Sequence, residues 1–275
     1  MKIKKLKKSL IYLALIVVVI LIIWPFLSMV QKAFMPDKKL TEYEDSLIGK
    51  FKLDNFFIVL TRTDYGRSII NSVIVSFFTT TICIIISSLT GYALSRFKGR
   101  FFKIYSLLLI ILQMFPLVLL LIPLFIIFKF LHLINTLPTV IISYITLALP
   151  FSSWMLKSFF DTIPFEIEEA ALIDGSSQFG TYFRIIMPLS LPGIAAVGSF
   201  VFIFSWSEYM LASIFLKTKL YRTLPVAIQL FKQQFYASWG QLMSAALLAA
   251  IPSFIILFFA QKYLVKGLAS TAVKG

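Results

Sequence analysis

Residues 68–95 read SIINSVIVSFFTTTICIIISSLTGYALS, a run of 28 positions without Asp, Glu, Lys or Arg. A helix needs roughly 20 apolar residues to cross the hydrocarbon core of a bilayer. Inside a bilayer the backbone must satisfy its own hydrogen bonds, which a helix does and an irregular chain does not. The run therefore predicts a membrane-spanning helix.

Five further charge-free runs have comparable lengths, and the six runs together make up 155 of the 275 residues. The five are Ser9–Gln31, Ile104–Phe128, Phe130–Leu156, Ile185–Ser207 and Gln233–Gln261. The sequence therefore predicts an all-α, polytopic membrane protein with six transmembrane helices. Pro116 and Pro123 predict a kink in the third helix, because a proline leaves backbone carbonyls unpaired.

The composition excludes two broad classes of protein. Hydrophobic residues make up 59% of the chain and charged residues 14%, against roughly 25% charged in soluble domains. These values exclude a water-soluble globular domain and a disordered chain. The net charge of +14 is attributed to basic residues that flank the spans and meet anionic lipid head groups. We expect membrane lipid, and no nucleic acid, as the partner of this charge.

The positions of the cations predict the topology. The basic stretch Lys2–Lys8 precedes the first span, which is longer than the apolar region of roughly 7–15 residues in a signal peptide. An uncleaved anchor with a cytoplasmic N-terminus fits better than a cleaved leader. Six spans then place both termini in the cytoplasm. The basic turn at Arg96–Lys103 agrees with this topology, and the cations within 217–232 point the other way.

The polar segment between the fourth and fifth spans is predicted to be helical and cytoplasmic. Three acids, Glu166, Glu168 and Glu169, lie where the positive end of a helix dipole is expected. Gly175 is placed to adopt the left-handed conformation that ends a helix. A second short helix is predicted over 178–187, ended by Pro188.

This segment also carries a spaced motif. It reads Glu169-Ala-Ala-Leu-Ile-Asp174-Gly175, followed by Ile186, Pro188-Leu189 and Pro192. The pattern resembles the EAA loop of the permease subunits of ATP-binding-cassette importers, in which E-A-A-x-x-D-G precedes I-x-x-P-L-x-x-P. The resemblance implies the type I importer permease fold with a cytoplasmic coupling helix. It also implies that an ATPase subunit docks on five residues, which are Glu169, Ala170, Ala171, Asp174 and Gly175.

A helix lying flat on lipid is the alternative interpretation of this segment. Three acids in its first turn disfavour that arrangement, because the cytoplasmic leaflet is anionic. Docking to a partner protein is therefore the preferred interpretation.

Other stretches are similar to the carbohydrate-uptake permeases, of the type found as the smaller membrane subunit of maltose-type transporters. They include Trp206-Ser-Glu208-Tyr209, where Ser207 departs from the Asn common in that family, and the tail from Gly267 to Gly275. The resemblance implies import of a sugar, for example a maltodextrin-like oligosaccharide, across the cytoplasmic membrane of a prokaryote. The implied partners are a second permease subunit, two ATPase subunits that use the ATP, and an extracytoplasmic sugar-binding protein.

The predicted spans and the family resemblance divide the chain into three parts. Residues 1–66 form the first span and an extracytoplasmic loop, residues 67–265 the permease core, and residues 266–275 a cytoplasmic tail. Two roles stay open for Glu208, with its neighbour Trp206, at the outer end of the fifth span. The carboxylate either lines or gates the pathway, or it anchors the end of the helix.

The sequence lacks the residues that metal binding and nucleotide binding through a phosphate loop require. His132 is the only histidine and Cys83 the only cysteine, so we expect no metal site. The only Gly-Lys pair, Gly49-Lys50, has no glycine five positions before it, so we expect no phosphate loop and no cofactor bound by this chain. We therefore expect no enzyme. The alternative function is an ion-coupled secondary transporter, which predicts charged residues within the spans.

Overall fold

The computed structural model describes residues 2–35, 52–61, 63–234 and 239–272, and all regular structure in these ranges is helical. The helices, numbered in chain order, are α1 (Lys2–Ala33), α2 (Asp54–Thr61), α3 (Tyr65–Arg96), α4 (Arg100–Met114), α5 (Leu117–Phe130), α6 (Leu137–Phe160), α7 (Glu166–Ile173), α8 (Gln178–Leu189), α9 (Leu191–Ser207), α10 (Met210–Phe215), α11 (Leu224–Gln234) and α12 (Trp239–Ala272). The prediction of an all-α protein is confirmed.

Four of the helices are long and apolar enough to cross a membrane without interruption. These stretches are Leu10–Ala33, Tyr65–Arg96, Leu137–Phe160 and Trp239–Lys262. Two further spans are formed if the bent pairs α4–α5 and α8–α9 each count as one. The chain is therefore a multi-pass membrane protein, and the predicted count of six spans is reached when both pairs are included.

The third predicted helix is broken rather than kinked. The axes of α4 and α5 meet at 100°, and the break lies at Phe115 and Pro116. Phe115 is extended (φ −75°, ψ 123°), because the ring of a following proline disfavours helical backbone. Pro123 lies inside α5 without interrupting it. Only Pro116 therefore acts as predicted, and its effect is larger than a kink.

The fifth predicted span differs from the prediction at its start. The short helix predicted to stop before Pro188 continues as α8 to Leu189, through a π-helical turn at Tyr182–Ile186. The chain then bends by 75° at Ser190 before α9 begins. At the other end α9 stops at Ser207, where the charge-free run also ends, and α10 follows as a separate short helix.

The chain divides into two compact units, of which the larger comprises residues 67–226 and 252–275. Its core includes Cys83, Ala148, Leu156, Phe160 and Val197. The helix α3 approaches α6 closely at Gly91, where an added Cβ would lie 2.8 Å from the Lys157 backbone nitrogen and 2.9 Å from the Ser153 carbonyl oxygen. Gly91 therefore allows the close packing of α3 against α6.

The smaller unit comprises residues 1–66 and 227–251. Asn55 on α2 donates its amide to the carbonyls of Ala33 and Met35, at 3.0 and 2.8 Å, and Ser244 on α12 also donates to Ala33 at 3.0 Å. Part of the predicted extracytoplasmic loop is thus the helix α2, and residues 36–51 of that loop lie outside the described residues.

The three-part division predicted from the sequence stays a prediction. The backbone of α12 is helical as far as Ala272, through most of the predicted tail 266–275, and residues 273–275 lie outside the described residues.

Candidate functional site

The predicted coupling helix is α7, the helix that follows α6. Its first turn holds Glu166, Glu168 and Glu169, as the sequence predicts for the positive end of a helix dipole. It ends at Gly175, whose φ is 86°. The Gly175 amide donates to the Leu172 carbonyl at 3.1 Å and the Ser176 amide donates to the Ala171 carbonyl at 2.9 Å. This pair of bonds is a Schellman motif, so the prediction that Gly175 ends the helix is confirmed.

The predicted docking residues do not all face outward. Glu169, Ala170, Asp174 and Gly175 are exposed, whereas Ala171 is 7% exposed and packs inside the chain. Their exposed surface therefore comes from one side of α7 and its C-terminal turn. Ala170 and Ala171 do not form one accessible patch, because neighbouring residues of a helix point about 100° apart.

Large apolar side chains are exposed beside these residues. Ile173 is 86% exposed and Phe179 is 74% exposed, and Leu172 and Phe183 are also exposed. The charged residues of α7 thus border an apolar surface, a combination that is typical of the rim and centre of a protein interface.

Glu168, which lies next to the predicted docking residue Glu169, holds α7 in place. Glu168 is buried, and its Oε1 accepts a hydrogen bond from Arg96 Nε at 2.5 Å. Its Oε2 accepts a hydrogen bond from the Tyr92 hydroxyl at 2.7 Å. The side chains of Arg96 and Glu168 are 9% and 6% exposed, so this is a buried, charge-assisted pair. Glu168, Arg96 and Tyr92 are hereafter the inner clamp.

Further contacts tie the end of α3 to the connection between α6 and α7. Arg96 Nη2 donates to the Ile163 carbonyl at 3.1 Å, and the guanidinium lies 6.0 Å from the centre of the Phe165 ring. Asp161 accepts a hydrogen bond from Ser95 at 2.6 Å and pairs with Lys157 on α6 at 2.6 Å. Arg96 therefore holds the connection between α6 and α7 against α3, and Ser95 holds the C-terminal end of α6 against α3.

Sequence reasoning missed Glu168 as a site residue. It appeared only as one of three acids in a first turn, and helix periodicity does not reveal which of them turns inward. The signal on α3 was incomplete: Tyr92 and Arg96 are spaced by one helical turn and share a face, but this spacing does not identify the residue that they bind.

Glu208 lies at the end of α9, where its contacts are those of an anchor. Its carboxylate accepts hydrogen bonds from the Tyr144 hydroxyl at 2.6 Å and from the backbone amides of Leu211 and Ala212 at 2.8 and 3.3 Å. It is 9% exposed. Trp206 is also buried, and its ring stacks on Phe202 at 5.8 Å. A role of Glu208 and Trp206 in the pathway or its gate stays a prediction.

The opposite end of α3 is fixed by a second set of contacts, made by Asn71 and Ser72. The Asn71 amide donates to the carbonyls of Leu220 and Arg222, at 3.0 and 2.9 Å. The Ser72 hydroxyl accepts from the Leu224 amide at 2.7 Å. We call this set the outer clamp. Asn71 and Arg96 are 25 positions apart on α3, which is about 38 Å along a helix and exceeds the roughly 30 Å hydrocarbon core of a bilayer.

The connection between α10 and α11, which contains Leu220 and Arg222, is also held by Asn135, a residue that follows α5. Its backbone is left-handed (φ 65°), a conformation that asparagine tolerates. Its side-chain oxygen accepts hydrogen bonds from the amides of Lys217 and Thr218, each at 2.9 Å.

Among the residues that the structure describes, no three His, Cys, Asp or Glu residues come together in a group that could hold a metal ion.

Comparison with known proteins gives one family. Residues 83–270 match the family described as binding-protein-dependent transport system inner membrane component. The chain is 34% identical over 280 residues to the trehalose/maltose transport system permease protein MalG of Thermococcus litoralis, covering 98% of each chain. It is 38% identical over 205 residues to the sulfoquinovosyl glycerol transport system permease protein SmoH of Agrobacterium fabrum, covering 74% of this chain and 72% of that protein.

A further relative is the maltodextrin transport system permease protein MalD of Streptococcus pneumoniae. It is 33% identical over 273 residues, with 99% of this chain and 97% of that protein covered. Among solved structures, a bacterial ABC transporter involved in the import of the acidic polysaccharide alginate has a chain with a TM-score of 0.82. The match covers 94% of this chain and 96% of that one at 17% identity, so it shows the shared fold.

Proposed function

We propose that this chain, which belongs to the family of binding-protein-dependent transport system inner membrane components, forms one half of the pathway by which a sugar enters the cytoplasm. As a member of this family it is a permease subunit of an importer and not an enzyme. A second permease subunit forms the other half of the pathway. Two ATPase subunits, docked on the cytoplasmic side, bind and hydrolyse the ATP, and an extracytoplasmic protein delivers the sugar.

The observation that carries this proposal is the arrangement of α7. Its exposed side presents Glu169, Ala170 and Asp174 beside the exposed apolar residue Ile173. Its buried side is held by the inner clamp to α3. A partner that pushes on the exposed side therefore moves the end of a membrane span and not a loose loop.

The clamp contacts suggest how force reaches the spans. Movement of α7 is transmitted to α3 through Arg96, and α3 is in turn bonded through Ser95 to Asp161 at the end of α6. Packed helices respond to such a displacement as rigid bodies that rock between two arrangements. We propose that this rocking alternates access to the sugar site from the two sides of the membrane.

An oligosaccharide such as maltodextrin is the proposed cargo. Relatives named for maltodextrin and for trehalose/maltose transport cover nearly the whole chain, which supports this choice. A relative named for sulfoquinovosyl glycerol transport matches a smaller share, so other glycosides are the alternative cargo. With α7 in the cytoplasm, both termini are cytoplasmic as well.

Uptake by the assembled transporter in proteoliposomes tests the proposal. Labelled maltodextrin, trehalose and a glycosyl glycerol are supplied outside with the binding protein, with ATP or a non-hydrolysable analogue inside. We expect uptake of at least one of these sugars that requires hydrolysable ATP and continues when ionophores dissipate the proton and sodium gradients. Uptake that follows an ion gradient and ignores ATP would instead establish the ion-coupled secondary transporter.

A further inference from the structure

The turn between α3 and α4 borders a basic cavity of about 540 Å³. We propose that this cavity binds the phosphate of an anionic phospholipid, and that an acyl chain of the same lipid lies in an apolar groove beside it. The side of the membrane on which the lipid lies rests on the proposed function, whereas the site itself does not.

Four cations line the basic cavity. Lys98, Arg100 and Lys103 come from the turn and the first residues of α4, and Lys157 comes from the end of α6. Two separate elements therefore direct positive charge into one space. Phe97 and Phe102 also line it, so the cations stand against apolar walls.

The charges of this cavity are not balanced within the described part of the chain. Lys157 pairs with Asp161 at 2.6 Å, but no salt bridge joins Lys98, Arg100 or Lys103 to a carboxylate among the residues described. The first turn of α4 contains no acidic residue, although the positive end of a helix dipole favours one. Like charges collected in this way repel one another. A bound anion relieves that repulsion, and phosphate groups suit clusters of Lys and Arg.

The apolar groove is a second cavity, of about 300 Å³, that adjoins the first. Leu94 and Phe102 line both cavities. The rest of its mostly apolar lining is made by Leu89, Thr90, Ala93, Phe101 and Tyr105. Phe101 is 72% exposed. The two cavities together therefore fit an anion that carries an apolar chain.

The location of the pair of cavities selects a membrane lipid over a soluble phosphate compound. Both lie where the charge-free run 68–95 ends and the run 104–128 begins, which is the level of the head groups for helices that cross a bilayer. Basic pockets between transmembrane helices at this level hold anionic head groups. A soluble phosphate would fill the basic cavity and leave the apolar groove open to lipid in any case.

Native mass spectrometry of the assembled transporter tests the site, without sugar or ATP. Dioleoylphosphatidylglycerol is titrated into delipidated complex, and its binding to this subunit is measured. One variant combines Lys98→Ser, Arg100→Ser and Lys103→Ser. The matched control combines Lys217→Ser, Lys219→Ser and Arg222→Ser, which removes the same charge from a connection at the other end of the spans.

We expect the first variant to weaken phosphatidylglycerol binding by at least about tenfold, and the control to leave it within about twofold. We also expect Ala93→Trp, which fills the groove without a change in charge, to weaken binding of the dioleoyl lipid. Excess inorganic phosphate should fail to displace the lipid.

Three results of the binding measurement would overturn the proposal. They are equal losses in the first variant and its control, unchanged binding in the first variant, and full displacement of the lipid by inorganic phosphate. Protection of the cations by an ATPase subunit in the delipidated complex would also overturn it, because the cavity would then be a protein interface. Since no ATP is present, failure here is separate from failure of ATP-driven uptake.

Discussion

The two ends of α3 are both fixed, but by different chemistry. At the outer clamp Asn71 and Ser72 bond to backbone groups of residues 220–224. At the inner clamp Arg96 and Tyr92 bond to a single carboxylate, that of Glu168. The Asn71 end of α3 therefore binds backbone groups, whereas the Arg96 end binds a single side chain, that of Glu168 on α7.

From this difference we infer that the outer clamp is a structural attachment and that the inner clamp transmits movement between α7 and α3. Backbone bonds at the outer clamp persist whatever side chains residues 220–224 carry. The inner clamp can be broken by a substitution at either partner, and it joins α3 to the helix that bears the proposed docking surface. We therefore expect damage to the outer clamp to reduce stability, and damage to the inner clamp to reduce coupling as well.

Removal of the Glu168 carboxylate should have the largest effect. Glu168→Ala leaves Arg96 buried without its partner, which costs about 3–5 kcal/mol in comparable buried pairs. Because α7 is then no longer held to α3, we expect ATP hydrolysis by the assembled transporter to continue while uptake falls at least about tenfold. The measurement is the ratio of sugar imported to ATP hydrolysed in proteoliposomes.

A double variant separates coupling from folding. Arg96→Met with Glu168→Met removes both charges, so we expect thermal stability to recover relative to Glu168→Ala while the import ratio stays low. Recovery of the import ratio together with stability would show that the inner clamp acts only in folding.

Substitutions at Gly175 should have the next largest effect. The φ of 86° strains any residue with a Cβ by about 1–2 kcal/mol, although no atom lies within 4 Å of the Cβ position. We expect Gly175→Asp to shift the docking turn and lower the import ratio, as should Glu169→Lys through its exposed reversed charge. Gly175→Ala and Gly175→Asn are the matched pair that tests strain without a change in charge, because asparagine adopts this conformation more readily than alanine. Equal losses for Ala and Asn would contradict the explanation from backbone strain.

Damage to the outer clamp should be milder and of a different kind. Asn71→Ala removes two hydrogen bonds to carbonyls, at a cost of about 1–3 kcal/mol. We expect a lower unfolding temperature for the purified complex and an unchanged ratio of import to hydrolysis. A fall in that ratio as large as that of Glu168→Ala would remove the distinction between the two clamps.

A substitution at Asn135 should have the smallest effect, and it also tests the comparison between structural contacts and the inner clamp. Asn135→Gly keeps the left-handed backbone but loses the bonds to the Lys217 and Thr218 amides. We expect a loss of about 1 kcal/mol in stability and normal coupling. Hydrogen exchange of residues 216–220 should report the loosening, and unchanged exchange there would show that Asn135 does not hold this connection.

Much of the fold follows from the sequence, because charge-free runs and helix ends are encoded locally. The spans, the acidic start of α7 and the left-handed Gly175 belong to this class. The right-angled break at Pro116 does not, since a proline predicts a disturbance but not its size. Burial of Ala171 beside exposed Ala170 also depends on tertiary packing.

The inner clamp was beyond sequence reasoning for a related reason. Arg96 and Glu168 are separated by 72 residues, and neither is unusual in its local context. An acid near a helix N-terminus is expected whether or not it has a buried partner. Only the approach of α3 to α7 distinguishes Glu168 from its neighbours Glu166 and Glu169.

The central claim, that an ATPase subunit grips the exposed side of α7, is tested most directly by crosslinking from two adjacent positions. In a background with Cys83→Ser, which removes the only cysteine, the variants Ala170→Cys and Ala171→Cys make the same change at an exposed and a buried position. With a short thiol-to-amine crosslinker in the active complex, we expect the ATPase subunit to be captured from position 170 and not from position 171. Absence of that product from position 170 in a complex that still imports sugar would contradict the account.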